Sequence, residues 1–427
     1  MNDLPEPFAA ANTSLPNKPR LHEPYQCPGE HHPIARPVHL ARLAAGFSAC
    51  RTCSHRHELG QLQTQPMLQA LAAVPKPVSL FTADGVRGVY ANELTRRALS
   101  NIAAAVARQF WDEANPADPR IWRIAPGEAL PAVELRRQRR ALGVDDDLPP
   151  PVVQPATEPL LVVGMDHRSS SADLLEGVLS SLRQGGCRVA LAGVVSRSVW
   201  EFAVQQTRAQ GGVYVTGGTH SLEFNGIDVI DQQGWDWTYT PDWEQVQERL
   251  AEGINRPVRR SADMQGVDVR RTYLETLQPL WKGLRSLRVA VLSTAPTVTG
   301  HLLELASLGG IKLLLEQRKR DCGGTLDPPD RLADELHSLL RDGQADVGFL
   351  IGSDARSCYS MDEHGEILLP EQAIQLLQFG KFPAVTTDYG GRYWLTPGRA
   401  ECDALRTMAR VLQSLSRSDQ PLSVWLK

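Results

Sequence analysis

Long apolar runs are missing from this sequence: nowhere do about 18 apolar residues follow one another, as a bilayer-spanning helix requires. A basic excess is missing too. Lys and Arg total 45 against 49 Asp and Glu, a formal net charge of -4. The electrostatic footprint of nucleic-acid binding is therefore absent, and neither a nucleic acid nor a membrane is expected as a partner. The opening MNDLPEPFAAANTSLPNKPR carries no charged-then-apolar signal pattern, which makes the cytoplasm the expected location. Cysteines are few, seven in 427 residues. Without a secretion signal they point to thiols or metal ligands rather than a disulfide framework.

What is present is a chain long enough for two to four domains, 42% hydrophobic and able to bury more than one core. Residues 1–20 are Pro-rich and aperiodic and read as a disordered leader. From about Val78, strand-like PVSLFTADGVRGVY leads into NELTRRALSNIAAAVARQFW, with apolar residues at helical steps. A charged, Pro-rich stretch of about 113–158 reads as an insertion; its RRQRR (136–140) and DDD (145–147) are expected on a solvated loop or helix. LLVVGMDHRSSSADLLEGVLSSLRQGGCRVALAGVV then gives strand, polar turn, helix, Gly-Gly and strand, the pattern of a parallel βαβ unit. A second α/β series follows from about 257 to 368, and 369–427 is about half a domain long. The expected fold is α/β, with consecutive domains built on mixed, mostly parallel sheets.

Three cysteines fall in the first 53 residues. Cys27 precedes His31 and His32, and Cys50-x-x-Cys53 supplies two thiols from one turn. Structural zinc takes four Cys or His ligands in a tetrahedron, so residues 21–60 are expected to form a zinc module on Cys27, Cys50, Cys53 and His32, with His31 the alternative to His32. His39 lies in a predicted helix, PVHLARLAAGF, with Gly46 as its stop. The module has too few apolar residues to fold without metal.

Further along, FTADGVRG (81–88), GMDHRSSS (164–171), YVTGGTHSLEFNGIDV (214–229) and DVGFLIGSDARSCYSMDEHG (346–365) resemble, in this order, motifs of the α-D-phosphohexomutases, the family of phosphoglucomutase, phosphomannomutase and phosphoglucosamine mutase. DALRTMARVLQSLSRSDQPLS resembles the helix closing that family's third domain. The resemblance implies a serine that carries a phosphoryl group and a Mg²⁺ that offsets its charge.

The departures from the pattern are as informative as the matches. The serine position falls on Gly218, which has no side chain, with Thr219 one residue along as the possible substitute. A misplacement of about 1 Å can cost about a hundredfold in rate. The three aspartates and the arginine of the metal loop correspond to Gly352, Asp354, Arg356 and Ser357, which leaves one carboxylate, so Mg²⁺ is not expected here. Of the sugar-reading loop only DYGGRYW (388–394) remains, and the motif of the fourth domain is absent from these residues. Arg87 and Arg168 match arginines that the resemblance places near the phosphoryl site; they either bind an anion or pair with Asp84 and Asp166. The Gly217-Gly218 turn is expected to offer amides to an anion, with His220 beside it.

The reading is therefore a degenerate, shortened phosphohexomutase-like protein without mutase activity, binding a sugar phosphate or regulating through a protein partner or self-association. One alternative is an active hexose-phosphate mutase using a displaced hydroxyl. Another makes the zinc module an interaction domain on an inert scaffold. The aromatics of GWDWTYTPDW (234–243) are expected to pack inside, and Cys187, Cys322, Cys358 and Cys402 to be isolated buried residues.

Overall fold

The computed structural model describes residues 25–28, 32–44, 47–58, 79–83, 85–117, 121–124, 152–220, 222–253, 261–318, 330–378, 385–388, 390–395 and 401–426. The leader 1–20, His31, Gly46, Asp84, the RRQRR and DDD runs and Cys322 lie outside them. Two compact units divide the chain, Met1–Val78 and Ser79–Lys427. Among the described residues no helix is long and apolar enough to cross a membrane.

In the first unit, α1 (Arg36–Ala44) follows a bridge between Tyr25 and Ile34 and precedes a short 3₁₀ turn, Ser48–Arg51. Its small apolar cluster contains Leu43 and Cys50, with Leu40 and Phe47 against them.

The second unit opens with β1 (Phe81–Thr82), β2 (Gly85–Val89) and α2 (Arg96–Ala114), the last capped by Thr95, whose side chain accepts from Ala98 N. Within the stretch expected to be an insertion, β3 (Ile121–Ile124) and β4 (Val152–Pro155) pair in parallel. α2 ends at Ala114, one residue past the expected boundary at about 113. There follow β5 (Leu160–Met165), α3 (Ser169–Gln184), β6 (Arg188–Val194), α4 (Arg197–Thr207), β7 (Gly211–Val215), β8 (Phe224–Asp231), α5 (Glu244–Glu252) and β9 (Met264–Gly266).

These strands form one mixed sheet in the order β1-β2-β8-β7-β5-β6-β9. From β7 to β9 the pairings are parallel, while β8 runs antiparallel to both β7 and β2. Leu161, Val162 and Val163 are all buried because the sheet is covered on both faces. Leu161 and Val163 meet the cluster of α2, α3 and α5; Val162 meets Trp200 of α4. Trp200 donates its indole N–H to the Val162 carbonyl at 3.0 Å.

The chain continues through α6 (Arg270–Trp281), β10 (Arg288–Ser293), α7 (Pro296–Leu308), β11 (Lys312–Gln317), α8 (Asp330–Gly343), β12 (Val347–Ile351) and β13 (Cys358–Met361). Their sheet has the order β11-β10-β12-β13, with only the last pairing antiparallel. α9 (Pro370–Gln378), the short ladder β14 (Thr386–Thr387) and β15 (Tyr393–Trp394), and α10 (Ala404–Ser416) complete it. Alternation again sorts the residues: Val289 and Val291 join the large cluster shared with α4, α6 and α10, whereas Ala290 and Leu292 face Leu336 and Leu340 of α8. The α/β architecture with mixed sheets is thus as expected.

Asn225-Gly226, although a turn-type dipeptide, lies inside β8 opposite Gly88 and Arg87 of β2. Buried Asn225 donates its amide to Ser170 Oγ at 2.7 Å and Ser171 Oγ at 3.0 Å, so it stitches α3 to the sheet.

Candidate active site: an arginine-rich cavity at the strand ends

The loops that leave β5, β7 and β12 at their carboxyl ends line one cavity of about 470 Å³. Ligands of α/β sheets bind at such ends. β5 delivers Asp166 and Arg168, β7 delivers the loop from Thr216 to His220, and β12 delivers Ser353 to Ser357.

The loop after β7 is held from below. Arg168, buried, bonds Asp166 at 3.0 Å through Nε, the Phe224 carbonyl at 3.1 Å through Nη1, and the carbonyls of Gly218 at 3.1 Å and His220 at 2.7 Å through Nη2. Arg168 is thus spent on the fold, the second of its two expected roles. The amides of the glycine turn are spent too. Gly217 N donates to Asp166 Oδ2 at 3.3 Å and Gly218 N to Thr216 Oγ1 at 2.9 Å, so they do not form the expected anion nest. A Cβ on Gly217 would stand 2.6 Å from Arg168 Cζ.

Gly218 sits at the apex with φ +59°, where a Cβ would lie 3.1 Å from Arg87 Nη2 and 3.4 Å from Arg87 Nε. Glycine is favoured by the backbone, and the guanidinium is left uncovered on that side. Thr219 lines the cavity, but among the described residues nothing accepts a hydrogen bond from its hydroxyl. His220, half-buried, turns Nδ1 to the Gly217 carbonyl at 3.2 Å. A general base must reach its nucleophile, and this histidine is engaged with backbone.

Arg87 pairs with Asp228 and adds the carbonyls of Val86 at 2.9 Å and Ile227 at 3.2 Å; Asp84 lies outside the described residues. Asp228 also pairs with Arg197, at the start of α4. Arg197 reaches Glu201 at 2.8 Å and Asp236, and Asp236 meets Arg356 at 3.5 Å. Burial pushes the Glu201 carboxyl up to about 7 against the pull of Arg356 and Arg197. Arg197, Glu201, Asp228 and Asp236 were not singled out in the sequence. The available signal was an arginine in the first turn of a helix with a glutamate four residues on, an arrangement the helix dipole disfavours without a nearby anion.

In the loop after β12, Asp354 accepts from Arg356 N, Ser357 N, Ser357 Oγ and Arg392, each at 3.0 Å. Burial alone would push its pKa up, but Arg392 and those amides outweigh it and hold the carboxyl below its ordinary value. Arg392 comes from the DYGGRYW remnant and also meets Asp388 at 3.4 Å.

In the first unit Cys27, Cys50 and Cys53 are buried. Burial, reinforced by Cys27 and Cys53, pushes the Cys50 thiol up to about 11, and Arg42 donates to Cys27 Sγ at 3.3 Å. His32 is exposed, and His39 is stacked on Tyr25 at 4.2 Å between ring centroids. Among the described residues no group of three or more His, Cys, Asp or Glu is placed to hold a metal ion.

Residues 152–253 match the family model described as phosphoglucomutase/phosphomannomutase, alpha/beta/alpha domain I. A probable phosphoglucosamine mutase of Thermococcus gammatolerans is 29% identical over 239 residues, 53% of this chain and 53% of the relative. The phosphoglucosamine mutase of a Parafrankia species is 29% identical over 312 residues, 70% of this chain and 60% of its own length. In fold, a phosphoglucomutase/phosphomannomutase family protein from Burkholderia thailandensis superimposes with a TM-score of 0.62 at 17% identity, covering 82% of this chain and 80% of its own. A putative phosphomannomutase from Thermus thermophilus gives 0.58 at 16%, covering 81% and 82%. Residues 152–253 thus resemble a domain of the phosphoglucomutase/phosphomannomutase family, and the chain is similar to phosphoglucosamine mutases over more than half its length.

The chain spans about half the length of several curated relatives it matches. The family resemblance implies Mg²⁺ at residues 352–357, and the residues do not fit that ion. Mg²⁺ requires oxygen ligands in a near-octahedral set. Asp354 is already saturated by four donors, and Arg356 brings a cation with no lone pair to give.

Proposed function

We propose that this phosphohexomutase homologue binds a phosphorylated sugar without transferring its phosphoryl group, as a binding or regulatory protein. The observation that carries the reading is the apex of the β7 loop, where the position the resemblance assigns to a phosphorylated serine is glycine at φ +59°. Covalent phosphoryl transfer needs an activated hydroxyl, and among the described residues nothing accepts a hydrogen bond from that of Thr219. The sugar-phosphate ligand is taken from the names of the relatives, phosphoglucosamine mutase and phosphomannomutase, and from the four arginines in the cavity wall, Arg87, Arg197, Arg356 and Arg392.

The expected result in a coupled assay with glucose 1-phosphate or mannose 1-phosphate, with and without Mg²⁺, is no turnover above the blank. Steady turnover that disappears in Thr219→Val would establish the displaced-hydroxyl mutase instead.

The first unit is proposed to hold structural zinc on Cys27, Cys50 and Cys53, with the fourth ligand from His31 or His32. The support is the burial of three thiols in a small unit with a sparse apolar cluster. Metal analysis of the full chain purified without chelator should find about one zinc ion per chain. Metal-free protein whose residues 25–58 keep their protection from proteolysis would refute it.

A further inference from the structure

The two sheets protect their edges unequally. β1 and β9, the outer strands of the first sheet, are two and three residues long, too short to pair widely with another chain. β13, at one edge of the second sheet, has its outer side taken: Cys358 N donates to the Gly391 carbonyl at 2.8 Å, and the Ser360 carbonyl accepts from Leu368 N at 2.9 Å. β11 is different. Its six residues, KLLLEQ, run in unbroken register along β10, and among the described residues no strand pairs with the other side. It has neither the proline nor the bulge that blunts an edge, and Leu313, Leu314 and Leu315 are only half-buried.

The backbone sets what can pair there. Lys312 N donates to the Leu287 carbonyl at 2.8 Å and Arg318 N to the Ser293 carbonyl at 2.9 Å, both on the β10 side. By the alternation of a ladder, Lys312, Leu314, Glu316 and Arg318 spend their backbone groups on β10, whereas Leu313, Leu315 and Gln317 turn theirs outward. Lys312, Leu314 and Glu316 share one face of the strand, the face on which Leu314 packs with Leu336 and Leu340 of α8.

We propose that β11 is a self-association edge, pairing antiparallel with β11 of a second copy of this chain about a two-fold axis at Leu314. An antiparallel pair here must join outward-facing residues to outward-facing residues, so the axis passes through a residue and not between two. Centred on Leu313, the pairing sets Lys312 against a leucine; centred on Leu315, it sets Lys312 against Arg318 of the partner subunit. Centred on Leu314, each of the three leucines meets a leucine, and Lys312 stands opposite Glu316 of the partner subunit, twice by symmetry. Charge and apolar contact thus select the same register. Lys312 is exposed, and Glu316, 39% exposed and held by Arg318 at 2.9 Å, stays open to an incoming ammonium group.

The test is sedimentation velocity of the full chain over a range of concentrations. The wild-type chain should sediment at twice the chain mass and dissociate on dilution. Lys312→Glu and Glu316→Lys each turn two attractive cross-strand pairs into two repulsive ones and should each raise the dissociation constant about tenfold. The double variant Lys312→Glu/Glu316→Lys restores opposite signs and should return to within about threefold of wild type. Circular dichroism checks that each variant is folded. Hydrogen exchange, which needs no variant, should find the backbone of 312–317 better protected in concentrated than in dilute wild-type protein. A wild-type chain that stays monomeric up to its solubility limit overturns the inference. So does a dimer that neither single substitution weakens, a double variant that fails to recover what the single ones lost, or exchange at 312–317 that does not respond to concentration.

Discussion

Arg168→Ala lowers the stability of the second unit by about 3–5 kcal/mol, the usual cost of breaking a buried pair from one side. The substitution leaves buried Asp166 without its guanidinium and takes the donor from the carbonyls of Phe224, Gly218 and His220. Three segments lose their common tie: the turn after β5, the loop after β7 and the first residue of β8. Lysine recovers little of the loss. Its ammonium is a point charge with three donors and cannot span Asp166 on one side and three divergent carbonyls on the other. Urea denaturation followed by tryptophan fluorescence gives the comparison. A variant of unchanged stability that no longer binds phosphate would mean that Arg168 serves the ligand instead of the fold.

Gly226→Ala is the other substitution with a large effect. Gly226 stands opposite Arg87 in the β2-β8 pair, and a Cβ built there lands on the Val86 carbonyl. Backbone cannot swing aside as a side chain does, so the two strands must separate or shift register. The expected loss is at least about 3 kcal/mol, at the severe end for a single methyl. It falls on the strand that carries Arg87 into the cavity, so phosphate affinity should drop with stability. Purified Gly226→Ala with a wild-type denaturation curve would contradict this account of the strand pair.

The alternating blocks of strand and helix were legible because each apolar period is unbroken. LLVV, RVALAGV, RVAVLS and VGFLI are all strands of the two sheets. The place of Asn225-Gly226 inside a strand was not legible in the sequence. Asn-Gly is a strong turn signal locally, but here the glycine answers a contact with Val86, more than a hundred residues away in sequence, and nothing in its neighbours shows that. The same limit hid Arg197, Asp228 and Asp236. Their pairings bridge α4, β8 and the segment after β8, and a charged residue in sequence does not disclose its partner. Gly218 and Asp354 were legible because motif order placed them; that Asp354 is saturated by Arg392 became visible only in three dimensions.

The role of the β7 loop is the central claim, and it has a direct test. The full chain, incubated with glucose 1,6-bisphosphate and Mg²⁺ and then measured by intact mass spectrometry, should keep its unmodified mass. The same sample digested and mapped should show no phosphate on Thr219 or Ser221. Stoichiometric addition of one phosphoryl group at either residue would contradict the account, because it would mean that a hydroxyl beside Gly218 has taken over as nucleophile.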